Sequence, residues 1–357
     1  MKTALRIALT ISLALSVLGT WPLRACPGSA DSGVWNAYDP VGEVVPPSDA
    51  PDPQVRAVEE YRGYVYLLTR NGMLYTYDAR ALPSRTAFTT YSQPIASLDV
   101  DAGSALLRNG QWLYACGTSG LAVLDLANPA RPGVHVAADG AGRFYNMLRQ
   151  GDRLFLCGRE KATIYSLADV AHPAVLGSYE AIGKSFFAVA AYGDTMYLSE
   201  LTSGVSGGML RVLDISDPSH PISLQAVTLA ELPYHYRLVG DRLLSGSTGD
   251  VSLWSLANPR QPLLLDTQES SARVCALDGD NVVVSRDVFR PDGNLLVQVA
   301  TFTSTQTQHD GHPYGSAVGS GYVFLAENMR ALVLKGLTPP EAWPYQIRLP
   351  LVKAISR

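Results

Sequence analysis

Cysteine is scarce in this 357-residue chain: there are four, and only Cys116, Cys157 and Cys275 lie beyond Cys26. Three thiols form at most one bridge, so the fold is no disulfide scaffold and its stability must come from packing. Charge is scarce as well, at 17% Asp, Glu, Lys and Arg with a net charge of −4. Long basic runs are missing, which argues against nucleic acid as a partner. Beyond the N-terminal segment no run is apolar and long enough to span a bilayer. Motifs that carry chemistry are missing too: there is no Gly-x-Ser-x-Gly elbow, phosphate loop or zinc-peptidase histidine pair. Asp99-Val-Asp-Ala-Gly103 lacks the later glutamate of a calcium loop. No cofactor is expected.

What is present begins with a leader. Residues 1–25 start with Lys2 and Arg6, continue through an apolar stretch from Ile7 to Trp21, and end at small Ala25. That pattern reads as a cleaved targeting segment rather than a membrane anchor, because the stretch is short and Pro22 and Arg24 follow at once. Leu23-Arg24-Ala25-Cys26 resembles the lipobox of bacterial lipoproteins and makes Cys26 a candidate lipidation site, although Arg24 stands where that motif has a small residue. The expected setting is extracytoplasmic, secreted or tethered to the cell surface, with the membrane touched only through a lipid.

A phrase then recurs along the chain. Leu121-Ala-Val-Leu-Asp-Leu-Ala-Asn-Pro129 returns as Leu210-Arg-Val-Leu-Asp-Ile-Ser-Asp-Pro218, and in altered form as Val251–Pro259 and Ala162–Val170. A second marker, a glycine turn between two apolar runs, occurs at Gly63, Gly110, Gly151, Gly193, Gly240, Gly279 and Gly321, roughly every 40 residues. The runs after these turns, such as Leu154–Cys157 and Val282–Ser285, are apolar without alternation, so both faces of each strand should be buried. Each unit reads strand, Gly turn, strand, loop, strand, Pro turn, strand. Proline ends the third strand because it cannot donate to a central ladder. Radial repetition of such units predicts an all-β fold, a seven-bladed β-propeller of four-stranded antiparallel blades over residues 54–340. A sandwich would not explain the single period, and an open solenoid would need polar end caps. Residues 26–53 form an N-terminal segment and connector, and residues 341–357 a C-terminal strand or tail. Either Val34–Val45 or Tyr345–Leu351 is expected to complete the last blade.

Gly208-Met-Leu-Arg-Val-Leu-Asp-Ile-Ser-Asp-Pro-Ser-His-Pro221 resembles the LVIVD repeat of bacterial and archaeal cell-surface proteins, and Gly120–Pro132 is nearly as close. Ser166 and Ser255 replace the aspartate in two other units, and the first, sixth and seventh units are degenerate. The resemblance implies a propeller and an extracytoplasmic location. It implies no reaction.

Asp125 and Asp214 recur at equivalent strand ends and are expected to shape turns rather than hold a metal. Cys116 and Cys157 occupy matching positions in successive units and are expected to stay unbridged. His309-Asp-Gly-His312 is the metal-like cluster, with His309 and His312 as candidate ligands and no third ligand in view. Six residues before the turn glycines stand Tyr145, Phe187, Tyr234 and Arg273, with His235 and Tyr314 at the same level. They begin the strands that line the central channel, and aromatics with a cation and an imidazole there suit a ligand. The expected function is therefore a monomeric binding or interaction module for an extracellular protein or carbohydrate. The alternatives are a hydrolase or lyase at the channel mouth using His235, Arg273 or His312, and a purely structural envelope component.

Overall fold

The computed structural model describes residues 38–82, 88–202, 207–270, 275–284, 287–301 and 315–336. These residues all belong to the unit Asn36–Arg357. They are strands and turns, with no α-helix among the described residues.

β1 (Pro40–Val44) comes first, then β2 (Val55–Tyr61), β3 (Tyr64–Thr69), β4 (Met73–Asp78), β5 (Thr89–Tyr91) and β6 (Ala96–Asp99). β7 (Ala105–Asn109), β8 (Trp112–Gly117), β9 (Gly120–Asp125) and β10 (Gly133–Val136) make the second repeat. β11 (Phe144–Gln150), β12 (Arg153–Ser166), β13 (Ala174–Tyr192), β14 (Thr195–Thr202), β15 (Gly208–Asp214) and β16 (Ile222–Leu229) follow. β17 (His235–Val239), β18 (Arg242–Gly246), β19 (Asp250–Ser255) and β20 (Leu263–Glu269) make the fifth repeat. β21 (Cys275–Asp278), β22 (Asn281–Val284), β23 (Asp287–Asp292) and β24 (Leu295–Thr301) make the sixth, and β25 (Gly315–Gly319), β26 (Tyr322–Glu327) and β27 (Arg330–Lys335) end the ring.

The result is an all-β propeller of antiparallel four-stranded design, with one departure from expectation. The described strands form six hydrogen-bonded sheets, not seven. The third and fourth repeats share one six-stranded sheet, because β13 runs for 19 residues from the outer edge of one repeat to the inner strand of the next. At the seam β1 pairs antiparallel with β27, and β5 adds parallel to β1 on the outside. Tyr345–Leu351, the other segment considered for this place, lies outside the described residues.

Local chemistry explains the strands. All seven marker glycines have positive φ, from 58° at Gly193 to 84° at Gly63, as tight hairpins require. The apolar runs after them pack in both directions. One cluster joins Tyr66 and Leu74 of the first repeat to Leu113 and Leu124 of the second. Others join Tyr114 to Phe144 and Leu156, Phe155 to Phe186 and Leu198, and Tyr197 to Leu243 and Trp254. Each repeat is thus the filling between its two neighbours, and none can bury its faces alone.

The recurring phrase forms a turn that its neighbour grips. Asp125 and Asp214 accept from the backbone N–H two residues on, at 2.7 and 2.9 Å, and Asn128 and Asp217 do the same one step later. The carbonyl that ends the turn then accepts a hydroxyl from the preceding repeat. Tyr66 donates to Pro129, Tyr114 to Val170 and Tyr197 to Pro259, at 2.8, 2.8 and 2.7 Å. The phrase is therefore half of an inter-repeat latch. Tyr197→Phe keeps the packing but removes one such bond, and should lower unfolding free energy by about 1–2 kcal/mol in urea titrations.

Candidate functional site

Tyr145, Phe187 and Tyr234 come from three successive repeats and meet at one end of the channel. Tyr145 and Phe187 stack at 5.1 Å between ring centroids with 14° between planes, and Tyr234 meets Phe187 edge-on at 5.6 Å. All three rings are half-buried. The side-chain amide of Asn146 sets this spacing, since its Nδ2 donates to the carbonyls of both Phe187 and Tyr234 at 3.3 Å.

The ladder lines a pocket of about 420 Å³ together with three arginines, Arg56, Arg70 and Arg143. Arg70 is held by Asp52 at 2.8 Å, and Arg56 donates to Gln54 at 3.3 Å. The Arg143 guanidinium lies over the Tyr145 ring, 5.5 Å from its centroid. A loop with Gly140 and Gly142 at positive φ delivers Arg143, and Asp139 ties that loop down by accepting from Leu121, Ala141 and the Tyr165 hydroxyl. Aromatic faces and guanidinium groups in one pocket suit a ligand with an apolar face and an anionic group.

Deeper in the channel a second cavity, of about 140 Å³, is lined by Glu59, His235, Arg237 and Ser316 among others. His235 follows Tyr234 directly, yet strand alternation turns it away from the mouth; it is 6% exposed and its Nδ1 has no partner. Burial, with Arg237 beside it, holds its pKa well below that of a free imidazole, so it is neutral. Arg273, Tyr314, His309, His312 and Cys26 lie outside the described residues. Cys116 and Cys157 are free and buried.

Glu59 is the channel's acid. Burial raises its pKa from 4.5 to about 7 against the opposing pull of Arg108. Its folded state therefore holds a proton that the unfolded chain gives up, so stability falls as pH rises from about 4.5 towards 7. Glu59→Gln should stabilise the protein by about 1–2 kcal/mol at pH 8, since water at the cavity mouth screens part of the full effect, and should change nothing near pH 4. Urea titrations of both proteins across this range will show the gain appear with pH or fail to.

Sequence reasoning reached the aromatic ladder but missed Asn146 and the arginines. Arg56 and Arg70 belong to the first repeat, so only the tertiary fold brings them to the pocket that Tyr145 lines. Asn146 had one signal, its place beside a residue at the marked position.

The fold is similar to that of several solved structures at low identity. The WD40 propeller domain of Doa1 superposes with a TM-score of 0.58 at 12% identity, covering 84% of this chain and 97% of its own. The N-terminal domain of Nup159 gives 0.53 at 10% identity, covering 84% and 95%. The computationally designed Ika8 protein gives 0.53 at 11% identity, covering 83% and 99%. No curated protein matches the chain. Residues 189–228, from the second half of β13 to β16, match the LVIVD repeat, and this β-propeller carries that repeat in its fourth unit.

Proposed function

We propose that this propeller is an interaction module whose mouth pocket holds an anionic group carried on an apolar or sugar-ring face of an extracellular protein or carbohydrate. One observation carries the reading: the Tyr145–Phe187–Tyr234 ladder and the guanidinium groups of Arg56, Arg70 and Arg143 line a single pocket. Half-buried rings supply area, and guanidinium groups supply orientation and a preference for carboxylate or sulfate. The leader of residues 1–25 supports an extracytoplasmic protein, released or tethered through Cys26, and nothing in the reading requires more than one copy.

The same proposal takes the ring as seven wedges laid out in six sheets. In β12, Arg153–Gly158 pair with β11 whereas Lys161–Ser166 pair with the first part of β13, and Glu160 between them has φ of 60°. The later part of β13, Lys184–Tyr192, pairs with β14. Both long strands therefore divide into segments of the length found in the other repeats.

Binding is tested with uronic-acid oligosaccharides and with acidic peptides containing Phe or Tyr, followed by calorimetry. Arg143→Ala and Phe187→Ala should each weaken the preferred probe by about tenfold or more, in keeping with one lost charge-assisted bond or ring contact. Neutral analogues of the same probes binding equally well would overturn the anionic assignment. Equal affinity of all probes for the wild type and both variants would overturn the pocket. Hydrolytic or lyase chemistry would instead rest on Glu59 and His235 in the deeper cavity, and turnover of any probe that His235→Gln abolishes would favour it.

A further inference from the structure

On the outer part of the ring, away from the mouth pocket, two imidazoles face each other. His135 lies in β10 and His172 in the turn before β13, so they come from the second and third repeats. Their Nε2 atoms are 3.2 Å apart, and the rings are tilted by 56° with centroids 4.8 Å apart. Both side chains are exposed. Each ring is also held from behind. Nδ1 of His172 bonds Oδ2 of Asp169 at 3.0 Å, and the Trp112 indole packs on His135 at 4.7 Å.

The Asp169 contact decides the chemistry. A carboxylate acceptor places the proton of neutral His172 on Nδ1 and leaves a lone pair on Nε2, pointing at His135. If His135 moves its own proton to Nδ1, two lone pairs converge with no net loss of protons. Two imidazole nitrogens bound to zinc at about 2.0–2.1 Å stand about 3.3 Å apart at a tetrahedral angle, which is the spacing seen here. A carboxylate behind one histidine ligand is the usual arrangement for orienting it and raising its basicity.

From this geometry we infer that His135 and His172 form a surface site for a divalent transition-metal ion, with Asp169 as the orienting carboxylate and water in the remaining positions. Imidazole ligands favour copper, nickel and zinc over magnesium or calcium, and copper(II) binds most tightly. The described residues contain no cluster of three or more His, Cys, Asp or Glu side chains suited to a metal, so this site has two protein ligands and an open face. An ion there would join the second repeat to the third.

The next junction in the ring is a built-in control. Asp217 and His220 repeat the Asp169–His172 turn, with Nδ1 of His220 3.0 Å from Oδ2 of Asp217. The bulge residue there is Leu176, at the place His135 takes one repeat earlier: the register skips His135 in β10 and Leu176 in β13. One turn type thus carries a histidine twice, but only one junction supplies the second ring.

The test is equilibrium dialysis of the full chain against Cu²⁺, with electron paramagnetic resonance to count nitrogen ligands. The expected result is a site with two imidazole nitrogens in the wild type. It should be lost in His172→Ala and in His135→Leu, which installs the residue that the next repeat carries at this bulge. Asp169→Asn should weaken it by about tenfold, the lower end of what orienting partners contribute. His309→Ala/His312→Ala should leave it intact. Metal-free melting of His135→Leu at the wild-type temperature will show that the variant folds. Copper binding unchanged in His135→Leu, binding lost only in His309→Ala/His312→Ala, or no bound copper would each overturn the assignment.

Discussion

Arg330→Met is expected to lower the free energy of unfolding by about 3–5 kcal/mol, the loss that follows when one member of a buried ionic cluster is removed. Arg330 is 5% exposed, and its guanidinium donates to Glu43 at 2.7 Å and to Glu327 at 2.8 Å. Glu43 lies in β1, Glu327 in β26 and Arg330 in β27, so this cluster fastens the N-terminal strand to the last sheet. Without the guanidinium, two poorly solvated carboxylates face each other. Thr90 still donates to the other oxygen of Glu43, at 2.8 Å, but cannot offset the charge. Arg330→Met combined with Glu43→Gln and Glu327→Gln should recover most of the loss, because the penalty comes from stranded charge more than from a lost attraction. Urea titration of the single and triple variants measures both. A loss below about 1 kcal/mol in the single variant would mean that β1 is held by its backbone ladder alone.

Gly158→Ala is expected to cost about 3 kcal/mol and to weaken ligand binding at the mouth as well. A Cβ at Gly158 would stand 1.9 Å from the Arg143 carbonyl oxygen and 2.7 Å from the Phe144 Cα. Both obstacles are backbone, so no rotamer change relieves them, and overpacking in a closed ring moves whole strands. The strand displaced is β11, which carries Tyr145 and Asn146 and receives Arg143 at its start. Arg143 is further fixed by the bond from the Arg159 N–H to its carbonyl, at 3.0 Å. Stability and probe affinity should therefore fall together. Gly110→Ala is the comparison, because a Cβ there meets nothing within 4 Å and only its positive φ of 62° is strained. That variant should cost about 1 kcal/mol and leave binding unchanged.

Much of the architecture was legible because propeller repeats repeat their chemistry. The seven hairpin glycines stand out since a two-residue turn needs positive φ, and the Asp and Asn positions since a turn needs a short acceptor. The latch from Tyr66, Tyr114 and Tyr197 was not legible, although all three residues are plain in the sequence. Each reaches a carbonyl in the following repeat, and a backbone carbonyl has no residue signature. The shared sheet of β13 escaped for a related reason. Ile182 and Gly183, which link its two paired segments, carry no proline to mark a sheet boundary.

The site divides along the same line. Tyr145, Phe187 and Tyr234 were found by counting back from glycines, because equivalent positions in successive repeats point the same way around the axis. His235, next to Tyr234, lines the deeper cavity, because an extended chain turns each successive side chain to the opposite side.

Taken alone, the chain specified whatever depends on short-range stereochemistry: strand length, turn position, the period and the two-faced burial of each repeat. Closure at Arg330, the meeting of Arg56 and Arg70 with the aromatic ladder and the His135–His172 pair arose only in three dimensions. Each joins residues far apart in the sequence, and a wheel brings such residues together through the angle between its wedges, a quantity that no local pattern encodes.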